Sequence, residues 1–302
     1  MKKSILSLFT MSLVIASCSK NDDAVVTPPA PVAPTATTIT IADASRNFPV
    51  SGTINETPFA TGVATIPTTG ANKTFDYSGL VLGTPFSYAG GNVANTAFAT
   101  ATSSQNVFTT FIGSTQTAAG VTYYKTNTAD FSLLGIKYNT DTVLNYPGVG
   151  TVNFLAQNVL NIPAQKIAEF PMTYNQSTSQ VVRATTNFTV DSPALPAPNL
   201  PAKYEDVKTI TTSNIAWGTV KIPGYANAMN TLVQKTTESV VRNYFLINAT
   251  GGYDPMPAQL LQAVGIVDGA TTVFTDYKFW VAGKGFVLRI NANGSGSIYN
   301  GM

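Results

Sequence analysis

The side chains in this sequence that could carry out chemistry are few. Histidine is absent from all 302 residues, and Cys18 is the single cysteine. Without an imidazole, Ser-His-Asp and Cys-His relays, imidazole-ligated zinc and imidazole-ligated haem are excluded. Acid–base work is left to carboxylates. A glycosidase needs two of them flanking a cleft, with one pKa raised so that it can act as the acid. Glu205, Asp206, Glu238, Asp254, Asp268 and Asp276 all lie in the second half of the chain. No spacing among them identifies a pair, and in a chain only 11% charged each reads first as a turn, edge-strand or solvated residue. Asn291-Ala292-Asn293-Gly294-Ser295-Gly296 lacks the Asp ligands and terminal Glu of a calcium loop and reads as a turn. Met229 and Met256 are possible haem ligands, but nothing in the sequence pairs them. No cofactor or metal is expected, and catalysis is the weaker expectation.

Recognition is better supplied. Trp217, Trp280, Tyr244, Tyr253 and Tyr299 would form a stacking platform for sugar rings if several were exposed together, because flat apolar faces beside Asn and Thr suit carbohydrate. The competing reading is that alternate aromatics fill a β core. Removing Lys2 and Lys3 with a signal peptide leaves the basic and acidic residues in balance. A neutral surface offers no electrostatic footprint for nucleic acid.

Cys18 closes the run Leu13-Val14-Ile15-Ala16-Ser17-Cys18. It follows a positive amino-terminal pair, Lys2 and Lys3, and an apolar stretch from Ile5 to Ile15. The apolar stretch is far shorter than the ~20 residues that span a bilayer as a helix. A charged start, an apolar middle and small residues before the cut make a signal peptide. The run resembles a bacterial lipobox, and Ser19-Lys20-Asn21-Asp22-Asp23 resembles the lysine-plus-acidic export signal of Bacteroidota surface lipoproteins. The resemblance implies cleavage after residue 17 and lipidation of Cys18, with palmitate among the acyl chains. Residence would be at the outer membrane, on the cell surface or, alternatively, on the periplasmic leaflet. Two or more acyl chains hold a protein on a bilayer where one does so only marginally.

These residues need elements to position them. From Cys18 to residue 36 the proline-rich chain has too little apolar bulk to collapse and reads as an extended tether. Beyond it roughly one residue in seven is Thr, with abundant Tyr, Phe and Val. That composition suits a pleated, half-buried surface and leaves little material for amphipathic helices. The expected fold is all-β: an antiparallel sandwich, a strongly curved sheet or an open barrel. Candidate strands are 37–42, 50–55, 73–81, 107–112, 121–126, 131–138, 151–160 and 180–190. Tyr277, Phe279 and Val281 alternate with Lys278 and Trp280, and Phe286, Leu288 and Ile290 with Arg289, on either side of Gly283-Lys284-Gly285, predicting a hairpin. One short helix is expected over 257–265, with Pro257 at its start and Gly265 at its stop, as a plug over an open end or edge of the sheet. Pro193, Pro196, Pro198 and Pro201 cannot all sit in a central strand. Residues 192–202 are therefore a linker between β-rich halves, 37–191 and 203–302, or a loop within one unit.

In the second half, Trp217-Gly218-Thr219-Val220-Lys221-Ile222-Pro223, the strand Leu232 to Glu238, Tyr244-Phe245 and Tyr277-Lys278-Phe279-Trp280 resemble a module of uncharacterised secreted Bacteroidota proteins. That likeness implies an extracellular β fold and no particular activity. Asp141-Thr142-Val143 resembles the Asp-Thr-aliphatic acceptor of Bacteroidota O-glycosylation, which would modify Thr142. The sequence thus predicts a membrane-anchored, non-catalytic β-module that binds a glycan, an apolar ligand or a partner protein. The alternatives are a carboxylate-based glycoside hydrolase and a structural subunit of an envelope complex.

Overall fold

The computed structural model describes residues 36–47, 53–90, 93–110, 117–146 and 149–300. Cys18, the signal segment and the tether up to residue 35 lie outside them. The described chain is almost entirely strand. It begins with β1 (Thr53–Thr61), β2 (Gly70–Asp76), β3 (Val81–Leu82), β4 (Phe86–Ala89), β5 (Ser103–Thr110), β6 (Thr117–Thr126) and β7 (Asp130–Tyr138). Next come β8 (Thr142–Tyr146), β9 (Gly150–Phe154), β10 (Gln157–Glu169) and β11 (Ser177–Asp191). The remainder are β12 (Leu200–Lys221), β13 (Met229–Ile247), β14 (Tyr253–Pro255), β15 (Thr271–Val281), β16 (Gly285–Asn291) and β17 (Gly296–Asn300). Two short α-helices, α1 (Ile41–Ala44) and α2 (Ala258–Ala263), accompany them.

The strands make one large antiparallel sheet. Its main run is β4–β1–β17–β16–β15–β13–β12–β11, and the end of β12 also takes β2 as a parallel neighbour. Beyond β11 the sheet continues through β10 into β7, β6 and β5, which fold back over the main run. β5 meets the far end of the sheet only through the isolated Gly90–Gln105 bridge, so the sheet curls without closing into a barrel. The three longest strands, β11, β12 and β13, form its spine. In β11, Val182, Ala184, Thr186, Phe188 and Val190 are buried on one face while Arg183, Thr185 and Asn187 point outward, the alternation of a half-buried strand.

The halves on either side of the proline-rich segment are interlocked. Residues 192–199 are a loop joining β11 to β12, whose register runs unbroken from Ser177 opposite Ser213 to Val190 opposite Leu200. Pro201 enters β12 near its start, opposite Thr189, where a missing N–H disturbs the ladder least. β1 pairs with β17 and β2 with β12, so the described residues form one compact unit.

Three expected strands are redrawn. The run 73–81 ends at Asp76 as β2, and a turn over 77–80 precedes β3. The run 151–160 splits into β9, which pairs with β8 and β11, and β10, which pairs with β7. The run 37–42 holds only the Ile39–Met172 bridge before turning into α1. Side-chain bonding to the backbone is the reason. The Asp43 carboxylate accepts from the Thr40 N–H and hydroxyl and from the Gly283 N–H, and Asn47 brackets both backbone groups of Phe286 at 2.8 Å. Such contacts compete with a ladder and pin this segment to the β15–β16 turn.

Both faces of the main run are covered where the β12 and β13 strands meet β15 and β16. On one, Phe75, Tyr77, Val220, Val233, Phe279 and Leu288 form a core. On the other, Tyr124, Phe131, Leu232, Trp280, Phe286 and Tyr299 pack between the main run and the β6–β7–β10 layer. A third cluster lies under α2, where the buried Leu261 meets Phe188, Tyr204, Tyr244 and Met256.

Candidate functional site

The third cluster surrounds an apolar pocket of about 250 Å³. Phe188 and Val190 of β11, Tyr204 of β12 and Tyr244 of β13 make its floor, because each faces the same side of the spine by strand alternation. Val152 and Phe154 of β9 form one wall; Leu260, Leu261 and Val264 of the α2 segment form the cover. The aromatic groups are in contact: the Phe154 and Phe188 ring centroids are 5.4 Å apart and those of Tyr204 and Tyr244 are 5.8 Å apart. Gly150 must be glycine. Its φ is +137°, and a Cβ there would stand 2.0 Å from the Asp191 carbonyl oxygen.

One cation reaches this apolar site, and it is already paired. Arg242 donates from Nε and Nη2 to the two Asp206 oxygens at 2.6 and 2.8 Å and lies 4.1 Å from the Tyr204 ring centroid. Burial pulls its pKa down, but hydrogen bonding to Asp206 and the neighbouring phenols and carboxylate outweigh this and raise it further. Burial pushes the Tyr204 and Tyr244 phenols above their usual value. With that charge matched inside the wall and Asp191 the one further charged residue of the lining, itself exposed to solvent, the pocket presents mainly hydrocarbon and ring faces to an occupant. An apolar cavity of ~150 Å³ accepts benzene, so this one has room for about ten non-hydrogen atoms.

A second, larger cavity of about 900 Å³ lies further along the same face of β13. Thr236 and Glu238 face it, as Arg242 and Tyr244 face the first. Glu56, Asp276, Lys278, Arg289 and Tyr299 lie on neighbouring strands, and β5 and β10 contribute Phe108, Gln165 and Lys166 from the opposite layer. Tyr299 sits beside Glu56 and Arg289; burial, followed by the Glu56 charge, drives its pKa upward.

The five aromatics expected as a stacking platform are dispersed. Trp280 is fully buried, its Nε1 donating to Gln234 Oε1 at 3.2 Å. Tyr299 is buried in the same cluster, against Phe286, and Trp217 is half-buried at its margin. Tyr244 lies instead in the apolar pocket. Tyr253 is exposed at the sheet edge, with Lys203 Nζ 4.8 Å from its ring centroid. The platform is therefore corrected: β15 has a core on both faces, so the side of the strand carrying Trp280 is interior. Thr142 is half-buried at the start of β8, opposite Phe154. Cys18 lies outside the described residues.

The carboxylates are committed to partners. Asp206 holds Arg242, Glu205 holds Lys203, and Asp276 meets Lys278 and Arg289 at 2.7 and 3.5 Å. Asp268 accepts from the Tyr244 N–H, Asp254 from Asn248 and Glu238 from Gln165. Of these six only Glu238 and Asp276 share a cavity. Among the described residues no group of three or more acidic side chains is placed to hold a metal ion, and no helix is long and apolar enough to cross a membrane.

Sequence reasoning missed Phe188, Val190, Tyr204 and Arg242. Their convergence depends on the β11–β12–β13 register, and the sequence signal that bore on it was the apolar alternation of β11. No family model, curated protein or solved structure matches this chain.

Proposed function

We propose that this chain is a lipid-anchored β-module of the outer membrane, displayed on the cell surface, that binds a small apolar ligand without transforming it. The apolar pocket under α2 carries the reading. It is concave and walled by aromatic and aliphatic groups, and its one cation is neutralised within the wall, which is the chemistry of a site for an apolar small molecule. The anchor rests on the signal segment and lipobox ending at Cys18. The absence of histidine supports the non-catalytic part. A carboxylate-based hydrolase has one observation in its favour, the shared cavity of Glu238 and Asp276. Against it, Asp276 is tied to two cations and Glu238 to an amide.

The test is titration with a fluorescent apolar probe, phenylnaphthylamine. Saturable binding at one site is expected. Val264→Trp, which places an indole in the pocket from the end of α2, should weaken it by about tenfold or more, equal to roughly 1.4 kcal/mol, while leaving the melting temperature unchanged. Unsaturable binding, or affinity indifferent to Val264→Trp, would remove the proposal. For the anchor, Cys18→Ser is expected to move the protein from the membrane pellet to the soluble fraction. Protease shaving of intact cells should digest the wild-type body; full protection would place it on the periplasmic leaflet.

A further inference from the structure

The larger cavity differs in chemistry from the apolar pocket, and its lining shows what it would take. Three carboxylates, Glu56, Glu238 and Asp276, face three cations, Lys166, Lys278 and Arg289. The site is thus rich in both donors and acceptors yet carries no net charge to select an ion. Two polar atoms in its wall are unsatisfied: Gln165 Oε1 and Thr236 Oγ1 are shut off from solvent and have no hydrogen-bond partner. Buried polar groups in folded proteins are almost always paired, so a side-chain rotation that turns either orphan into the cavity would gain a hydrogen bond from a hydroxyl-bearing ligand. They belong to one stretch of wall: Gln165 Nε2 donates to Glu238 Oε2 at 3.2 Å, and Glu238 is two residues from Thr236 on the same face of β13.

The rim supplies the other half of the recognition. Phe108 of β5 is 77% exposed and Phe86 of β4 is 54% exposed, and both line this cavity. Beside a wall of mixed donors and acceptors these two rings offer flat faces for the C–H side of a sugar ring. A volume of about 900 Å³ lies within the range of small-molecule sites. We infer that this cavity is a second binding site, for a neutral polyhydroxylated ligand of the carbohydrate class, held by hydroxyl contacts to Gln165, Thr236, Glu238 and Asp276 and by stacking on Phe108 and Phe86. It is distinct from the apolar pocket. Along β13 the facing residues Glu238 and Arg242 are separated by about 13 Å at strand rise.

The experiment is isothermal titration of the full-length lipoprotein, in a sugar-free detergent, with neutral hexasaccharides of glucose, xylose, mannose and N-acetylglucosamine. Saturable heat with at least one of them is expected. Thr236→Val keeps the side-chain shape and removes the orphan hydroxyl, so its fold should be unimpaired; with it, and separately with Phe108→Ala, affinity should fall about fivefold or more. Val264→Trp should leave oligosaccharide binding unchanged even where it blocks the apolar probe, which separates failure of this site from failure of the first. Four outcomes overturn the inference: no saturable heat with any hexasaccharide, affinity indifferent to both Thr236→Val and Phe108→Ala, binding confined to charged polymers or extended peptides, or release of reducing ends showing that the bound sugar is cleaved.

Discussion

Arg242→Met is expected to destabilise the protein by about 3 kcal/mol or more, whereas the double variant Asp206→Leu, Arg242→Met should return to within about 1 kcal/mol of the wild type. Arg242 and Asp206 are direct cross-strand partners on β13 and β12, joined by two hydrogen bonds of 2.6 and 2.8 Å. The Asp206 side chain is only 10% exposed and that of Arg242 25%. Removing the guanidinium alone leaves a carboxylate among Tyr204, Tyr138 and the hydrocarbon of the spine, where water cannot replace the lost donors. Removing both charges also removes the cost of desolvating them, and apolar groups of similar length fill the space. The midpoint of denaturant unfolding measures both effects. A single-variant loss below about 1 kcal/mol would mean that the pair is solvated and that the pocket wall is looser than its geometry indicates. The double variant also separates structure from recognition. If Arg242 serves the wall and not the ligand, apolar-probe affinity should survive in the double variant.

That pair shows where the sequence was legible and where it was not. The β15–β16 hairpin was readable because Gly283-Lys284-Gly285 separates two runs of strict alternation, and Phe279 indeed opposes Leu288. The α2 helix was readable from Pro257 and Gly265, and it lies over the apolar cluster of Phe188, Tyr204 and Tyr244 on one face of the sheet. Alternation reports which residues share a face; it does not report what covers that face. On β15, Phe279 and Trp280 point to opposite sides and both are fully buried, because one core lies beneath the main run and another between it and the β6–β7–β10 layer. A sheet buried on both sides turns the side expected to meet solvent into interior, and Trp280 and Tyr299 were lost to the platform for that reason.

Neither cavity was legible, for a related reason. Phe188, Tyr204 and Tyr244 are tens of residues apart, and only the register of Phe188 opposite Ala202 and Tyr204 opposite Tyr244 brings them to one floor. Registers over strands as long as β12 and β13 are fixed by cumulative packing along both faces, not by a local turn. The larger cavity needs still more remote partners. Its polar face on β13 carries Thr236 and Glu238, but the opposing wall comes from β5 and β10, which reach it only because the sheet curls over. Residues that read as solvated charges are the lining of an interior that the chain encloses without filling.

The same two-sided burial predicts an unusual pH profile: stability flat from about pH 6 to 9, then lost abruptly above about pH 10. No histidine is present to titrate in the lower window. The tyrosines dominate the upper one. Tyr77, Tyr124, Tyr138, Tyr204, Tyr244 and Tyr299 are all buried, and in each burial is the leading cause of a raised pKa. Tyr77 is the plainest case, its hydroxyl donating to the Thr65 carbonyl at 2.9 Å in the first core. In the unfolded chain these phenols ionise near pH 10. Below that value both states hold their protons and the tyrosines impose no pH dependence. Above it the unfolded state releases protons that the folded state retains, so stability falls as pH rises. Each phenol that stays protonated in the folded state contributes up to about 1.4 kcal/mol per pH unit above 10, so several acting together exhaust a typical 5–15 kcal/mol within a few units. Phenolate absorbance of the buried tyrosines and far-ultraviolet circular dichroism, followed together against pH, should change in one coincident cooperative step. A gradual phenolate signal centred near pH 10 with the sheet intact would show that these tyrosines reach solvent in the folded state, and that the clusters around them are not closed.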